Sequence, residues 1–436
     1  MVGNERNTEL GLLLVAAGLV AGAYSLASLG GSDALPADIV PFLAIVLALL
    51  LAAHLATRQL APLADGLLLP LAGLLNGLGW VFIARLDDEL AGLQAVWTGV
   101  GVGAFALTLL LVPRVRVLER YRYTFMVIGL GLLLVPLVPG FGREINGARI
   151  WASIGPINFQ PGEFAKLALA VFFAGYLVEK RELLAIGTFR LGPLMLPELK
   201  HLGPVLVAWA ASMLVMVWEK DLGSSLLFFA LFVVLLWIAT ERASYLAVSA
   251  LLFGTGAVMA WTQLAHVQDR VDAWLDPWAD PKGTGFQVIE ASFSLAQGGL
   301  TGTGPGLGSP DRIPVAETDF IFAVIGEELG LFGATAILMA FLLMIGAGLR
   351  VALRTDQPFE KLLAAGLTSL LGIQAFIIVA GVTRVLPLTG VTLPFVSYGG
   401  SSLVANYVLL ALLLRISDES VARSGAAGRA SAGATQ

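Results

Sequence analysis

The chain contains no cysteine and only three histidines, His54, His201 and His266, among its 436 residues. The first absence excludes disulfides and cysteine-ligated zinc. The histidines lie far apart in sequence and offer no metal-ligand spacing. Charge is scarce as well: Asp, Glu, Lys and Arg make up 13% of the chain, about half the share in a soluble domain. The net charge is −5 and no basic tract occurs, which argues against nucleic acid as a partner. What the sequence has in quantity is apolar surface, at 57% hydrophobic residues. So large a fraction cannot hide inside a soluble globule of this size, so lipid must be the solvent for much of the surface.

A spanning helix needs roughly 20 mostly apolar residues. Twelve runs approach that, at residues 10–29, 39–57, 67–84, 94–112, 124–139, 163–178, 202–218, 221–239, 244–262, 319–349, 361–383 and 391–415. The first is too long for a signal-peptide core, and Glu5, Arg6 and Glu9 before it are not a positive leader. The expected fold is therefore all-α, a polytopic transmembrane helical bundle of about twelve spans. Basic residues set its orientation. Arg114, Arg116, Arg120 and Arg122 share one loop, and Lys180, Arg181, Arg190 and Lys200 share another on the same side. Both termini are then cytoplasmic, and residues 417–436, rich in Ala, Gly and Ser, read as a disordered tail.

On this topology two long segments face outward, residues 140–162 and 263–318. Long loops of this kind usually carry function. In the second, Phe286, Ile289 and Phe293 recur at helical spacing, as in a short amphipathic helix. Gly298 to Gly308 reads GGLTGTGPGLG. It has no βαβ context for a nucleotide loop, and is read either as an anion nest for a diphosphate or as a flexible linker.

Ionisable groups at membrane depth mark candidate sites. Pro161 suits a helix start, and Glu163 and Lys166 then share one face of the next span, as a clasp or as a functional pair. Asp319 follows the long outer segment, where it is either a helix-terminal anion or a reactive carboxylate. Glu327 and Glu328 lie deeper on different helix faces. Asp221 sits in a tight hairpin after Glu219 and Lys220, as an N-cap or a site residue. Between Arg384 and Ser402 two prolines and several glycines break a helix at membrane depth, tolerated only where protein or a wet cavity surrounds the backbone.

Taken in order, Gly147-Ala148-Arg149-Ile150-Trp151, Phe159-Gln160-Pro161-Gly162-Glu163-Phe164-Ala165-Lys166, Asp221-Leu222-Gly223-Ser224-Ser225, Arg270 to Pro277, Thr318-Asp319-Phe320-Ile321-Phe322 and Leu393 to Ser402 resemble the SEDS family of shape, elongation, division and sporulation proteins. The resemblance covers residues 67–416. It departs at Ile150, where many relatives have arginine, and at Glu219-Lys220 before Asp221. The family has three spans before the Gly-Ala-x-x-Trp segment and this chain has five. The expected organisation is thus two extra helices in residues 1–62, of an actinobacterial type, followed by a glycosyltransferase core in residues 63–416.

The resemblance implies a peptidoglycan glycosyltransferase in the bacterial cytoplasmic membrane that polymerises lipid II into glycan strands. It implies a class B penicillin-binding protein as partner beside membrane lipid. Asp319 falls on the family's essential carboxylate. Glu163, Lys166, Arg270, Asp221, Arg384 and Ser397 are the expected substrate-binding set. A divalent cation, magnesium or manganese, is a further option that diphosphate chemistry admits. The alternative is a lipid II flippase, since broken helices and intramembrane charges suit a transporter too.

Orientation is testable directly, because the chain lacks native cysteine. Single cysteines placed at Ser153 and Ser309 are expected to react with a membrane-impermeant thiol reagent in intact cells. Labelling only after lysis would reverse the topology.

Overall fold

A computed structural model describes residues 2–32, 35, 39–145, 148–155, 157–185, 189–191, 194–196, 206–207, 209–210, 213–214 and 217–433. The helices are α1 (Val2–Ser32), α2 (Ile39–Leu60), α3 (Leu68–Leu86), α4 (Asp88–Leu111), α5 (Arg116–Arg120), α6 (Arg122–Leu134) and α7 (Pro161–Ala185). They continue as α8 (Leu222–Thr240), α9 (Ala243–Gln263), α10 (Ala265–Leu275), α11 (Phe286–Gly298), α12 (Ile321–Arg354), α13 (Pro358–Val382) and α14 (Gly400–Gly433). Among the described residues ten helices are long and apolar enough to cross a membrane, and a shorter apolar one covers Arg122–Leu137. These match eleven of the twelve expected runs. The remaining run, 202–218, lies partly outside the described residues and is helical where described.

Four details differ from the expectation. The segment 140–162 is not an irregular loop: β1 (Gly142–Ile145), β2 (Ala148–Ile154) and β3 (Ile157–Phe159) form an antiparallel meander. A second small pair joins β4 (Phe189–Leu191) to β5 (Leu194–Leu196). The last span begins at Gly400 and not near 391, because the chain from Val391 to Gly399 is turn. The tail read as disordered from 417 instead continues α14 to Gly433. The reason is specific anchoring just past the apolar run. Asp418 accepts from the Leu63 amide at 2.8 Å, Ser417 from the Asp65 amide at 3.0 Å and Glu419 from the Val115 amide at 2.7 Å.

The chain divides into two compact units. The first comprises residues 1–115, 289–356 and 392–436, so the N-terminal helices fold as one body with parts of the core. In it α1 packs on α3 and α4 on α14. Small residues permit this close approach, as in other membrane bundles: a Cβ on Gly101 would meet the Tyr407 ring at 2.6 Å. Inside this unit Arg6 is paired with Glu9 and donates to the Ala64 carbonyl, and His54 Nδ1 lies 2.7 Å from Glu9 Oε1. All three side chains are buried. The charges that made the first residues unlike a leader thus satisfy one another. The second unit, residues 116–288 and 357–391, packs α7 against α6, α8 and α13.

Candidate active site

Within the second unit, Pro161 opens α7 and puts Glu163 in its first turn. One turn on, Lys166 is 2% exposed and donates to Glu163 Oε2 at 2.6 Å and to Gln374 Oε1 of α13 at 2.8 Å. The expected pair therefore forms, and a third group joins it. Gln374 was detectable by one signal, an amide inside an otherwise apolar span.

Asp221 stands before α8 and accepts the Ser224 amide at 3.0 Å, so it caps that helix. Glu219 is buried, and desolvation together with the Asp221 charge pushes its carboxyl up to about 9. Lys220 between them takes a left-handed φ of 61°, which turns the chain sharply at this point.

Arg270 and Arg384 are each engaged with backbone. Arg270 donates through Nη1 to the carbonyls of Thr389 at 2.7 Å and Leu388 at 3.3 Å. Arg384 Nη2 donates to the Trp274 carbonyl at 3.0 Å, while Trp274 Nε1 donates to the Arg384 carbonyl at 2.9 Å. These bonds strap α10 to the irregular segment after α13. They also answer where the free backbone carbonyls of that segment find donors. Behind the strap is a cavity of about 600 Å³, largely apolar, to which Arg270, Trp274 and Thr389 contribute.

Asp319 belongs to the first unit. Helix α12 starts at Ile321 with Phe320 at the N-cap position. Asp319 therefore lies outside the first helical turn, and the Thr318 hydroxyl donates back to the Val315 carbonyl at 3.3 Å. The carboxylate is half-buried. Its neighbours are held by the re-entrant turn. Ser397 Oγ donates to the Thr318 carbonyl at 2.6 Å while accepting the Leu393 amide at 2.8 Å, and the Tyr398 amide donates to the Glu317 carbonyl at 2.8 Å. The turn is fixed in its own right by Phe395, buried at a φ of 64° and edge-on to Tyr407. Ser397 thus reaches the chain beside Asp319.

The glycine-rich segment has a different use from either expectation. Gly330 leaves helical geometry at φ 66°, ψ −167°, and breaks α12 in two. The freed amides of Leu331 and Phe332 donate to Gly299 and Leu300 at 3.0 and 3.2 Å. The freed carbonyls of Glu327 and Glu328 accept from Thr303 and Gly304 at 2.9 and 3.0 Å. The side chains complete the pairing, Glu328 Oε2 to the Gly306 amide and Glu327 Oε1 to the Ser309 amide, both at 2.8 Å. The nest is filled by the chain's own carboxylates, and the segment is tied down at both ends. Arg85 lies 3.7 Å from Glu328 and donates to the Gly306 and Gly308 carbonyls.

Residues 81–422 match the family model described as cell cycle protein, for FtsW, RodA and SpoVE. The chain is 48% identical over 424 residues to the peptidoglycan glycosyltransferase RodA of Mycobacterium tuberculosis, covering 95% of this chain and 90% of that protein. It is 35% identical over 293 residues to stage V sporulation protein E of Bacillus subtilis, covering 67% and 77%. Among solved structures it is similar to a chain of a peptidoglycan synthase complex described as coordinating polymerization and crosslinking. That match has a TM-score of 0.67 and 27% identity over 82% of this chain and 98% of that one. It is also similar to the rod-shape-determining protein RodA of Thermus thermophilus, with a TM-score of 0.57 and 27% identity over 81% and 96%.

The Lys166 cluster allows a sharp test. Lys166→Met leaves Glu163 buried without its cation, an omission that costs about 3–5 kcal/mol. Thermal unfolding is expected to show that loss, and Glu163→Gln added to Lys166→Met is expected to recover most of it. A double variant that is stable and inactive assigns the cluster to substrate. A stable and fully active one makes it a structural clasp.

Proposed function

The chain belongs to the FtsW, RodA and SpoVE family of cell cycle proteins and is a multi-pass membrane peptidoglycan glycosyltransferase; from that premise we propose that it polymerises lipid II at the outer face of the cytoplasmic membrane, with Asp319 as general base. The observation that carries the assignment of Asp319 is its anchorage. The carbonyls of the two preceding residues, Glu317 and Thr318, are gripped by the Tyr398 amide and the Ser397 hydroxyl.

In the proposed step Asp319 takes the proton of the acceptor sugar's 4-hydroxyl. The freed oxygen attacks the anomeric carbon of the donor, a β-1,4 bond forms with inversion, and the diphosphate departs with the electron pair. Diphosphate is a good leaving group that needs neutralising more than protonating. One base with cations therefore suffices, unlike the paired carboxylates of glycoside hydrolysis. By the family resemblance Lys166 and Arg270 are the proposed cations, and Glu163, Asp221, Arg384 and Ser397 are proposed as positioning or substrate contacts. Among the described residues no group of three or more His, Asp or Glu side chains gathers as a metal cage. A magnesium or manganese ion serving the reaction would draw most of its ligands from the diphosphate oxygens.

The proposed partner is a class B penicillin-binding protein that crosslinks the new strand. Support comes from the similar chain solved within a complex described as coordinating polymerization and crosslinking. Both termini are proposed to be cytoplasmic. The named relatives are glycosyltransferases, which favours polymerisation over the transporter alternative.

Asp319→Asn keeps the side chain's shape and removes its basicity. Polymerisation of purified lipid II is expected to fall by at least about 10²-fold, the lower range for a lost general base. Expression, unfolding temperature and lipid II binding are expected to stay near wild type, because asparagine is about as good a helix cap as aspartate and the proposed diphosphate contacts are the cations. Near wild-type turnover in a folded, binding-competent variant would remove Asp319 from the mechanism.

A further inference from the structure

The glycine-rich segment has two faces. One lies in the break of α12, as described above. The other meets the far end of α1. A Cβ on Gly306, whose φ is 77°, would overlap the Ala27 carbonyl oxygen. A Cβ on Gly30 would overlap the Pro305 carbonyl oxygen and stand 3.3 Å from the Leu307 side chain. The two chains therefore approach backbone to backbone, with glycine on each side because no side chain fits between them. Helix α1 precedes the region matched by the family model, which begins at residue 81. It nevertheless touches the segment from which the chain runs on to Asp319.

We infer that the end of α1 is the brace that seats Pro305 and Gly306 against the α12 break, and that Gly30 is thereby a positioning residue for polymerisation. The path is short and contained in the first unit. Gly30 and Ala27 back Pro305 and Gly306. The Gly306 amide bonds Glu328, and the Ser309 amide bonds Glu327. Ser309 to Phe320 is then a loop fixed where it leaves the brace and where it enters α12, and Asp319 rides near its end. Moving the brace shifts the carboxylate without altering any group that touches substrate. This inference rests on the proposed role of Asp319 and adds the helix that holds it in place.

The test uses alanine at glycines of one helix. Gly30→Ala inserts a Cβ at the contact. Gly22→Ala places one where no atom lies within 4 Å. Gly31→Ala places one 4.0 Å from the Gly306 carbonyl oxygen, an ordinary contact. Alanine favours helix over glycine at all three positions, so a helix-stability effect alone would leave all three variants sound. Turnover of lipid II and amide hydrogen exchange are measured on the full-length protein.

The expected result is that Gly30→Ala lowers kcat by about 10- to 10²-fold, the scale of a misplacement near 1 Å, with KM unchanged. The amides of Thr303, Gly304, Gly306 and Ser309 are expected to exchange faster in the same variant. Gly22→Ala and Gly31→Ala are expected to match wild type in both measurements. Leu307→Ala removes packing on Gly30 and adds no atom, so it serves as the variant safe for folding. It is expected to reduce kcat several-fold with the same exchange signature. Wild-type turnover and wild-type exchange in Gly30→Ala would overturn the brace. So would wild-type behaviour of Leu307→Ala should Gly30→Ala fail to fold. A wild-type protein that does not polymerise lipid II would instead overturn the functional reading, and exchange at Gly306 would still decide the brace.

Discussion

The course of the glycine-rich segment toward Asp319 depends on how the backbone groups freed at Gly330 are satisfied. A helix broken inside a membrane exposes amides and carbonyls that lipid cannot bond, each at a cost of several kcal/mol. Here an extended glycine-rich segment supplies the missing donors and acceptors on both sides of the break. Glycine is required because the two backbones touch: a Cβ on Gly302 or Gly298 would overlap the carbonyl oxygens of Glu328 and Gly326. The break thus converts part of a long loop into an element as fixed as the helix it interrupts. Adjacent carboxylates at Glu327 and Glu328, which repel each other, persist because each accepts a backbone amide and Arg85 lies beside one of them.

The same rule governs charge. Lys166 has two oxygen partners at depth, Glu163 and Gln374. Arg6, Glu9 and His54 close on one another. Arg270 is turned to carbonyls of an irregular segment that no helix ladder serves, and Arg384, in that segment, to the Trp274 carbonyl at the end of α10. Most of these groups hold backbone or one another, so rigidity and charge neutralisation come from the same side chains. That dual use suits a membrane interior, where an unpaired charge or an unbonded backbone group is costly.

Much of the fold was legible because it follows from composition and length alone. Apolar runs of spanning length located the helices, and phenylalanine and isoleucine spacing located α11. Pro161 announced the start of α7, with Glu163 and Lys166 on one face. The misses are of two kinds. The meander at residues 142–159 is built from pairs close in sequence, such as Ile145 with Ala148 and Ile154 with Ile157, in a segment read only as a loop, whereas the turn before Gly400 and the helical course past Arg415 are held by partners distant in sequence. Local pattern carries no trace of such partners.

The candidate site was legible to the same degree and for the same reason. Its side chains could be nominated, since acids, bases and amides at membrane depth are rare. What aims them could not, because the aiming is done by backbone. Ser397 was nominated as a substrate contact, yet its hydroxyl spans from the Leu393 amide to the Thr318 carbonyl and so fixes the peptide beside Asp319. Asp319 was read as a helix-terminal anion or a reactive carboxylate, yet the helix starts only at Ile321, after the Glu317 and Thr318 carbonyls have taken partners in the re-entrant turn. The peptide that carries Asp319 is thus aimed by carbonyl bonds to a segment some eighty residues further along the chain, which no local pattern announces.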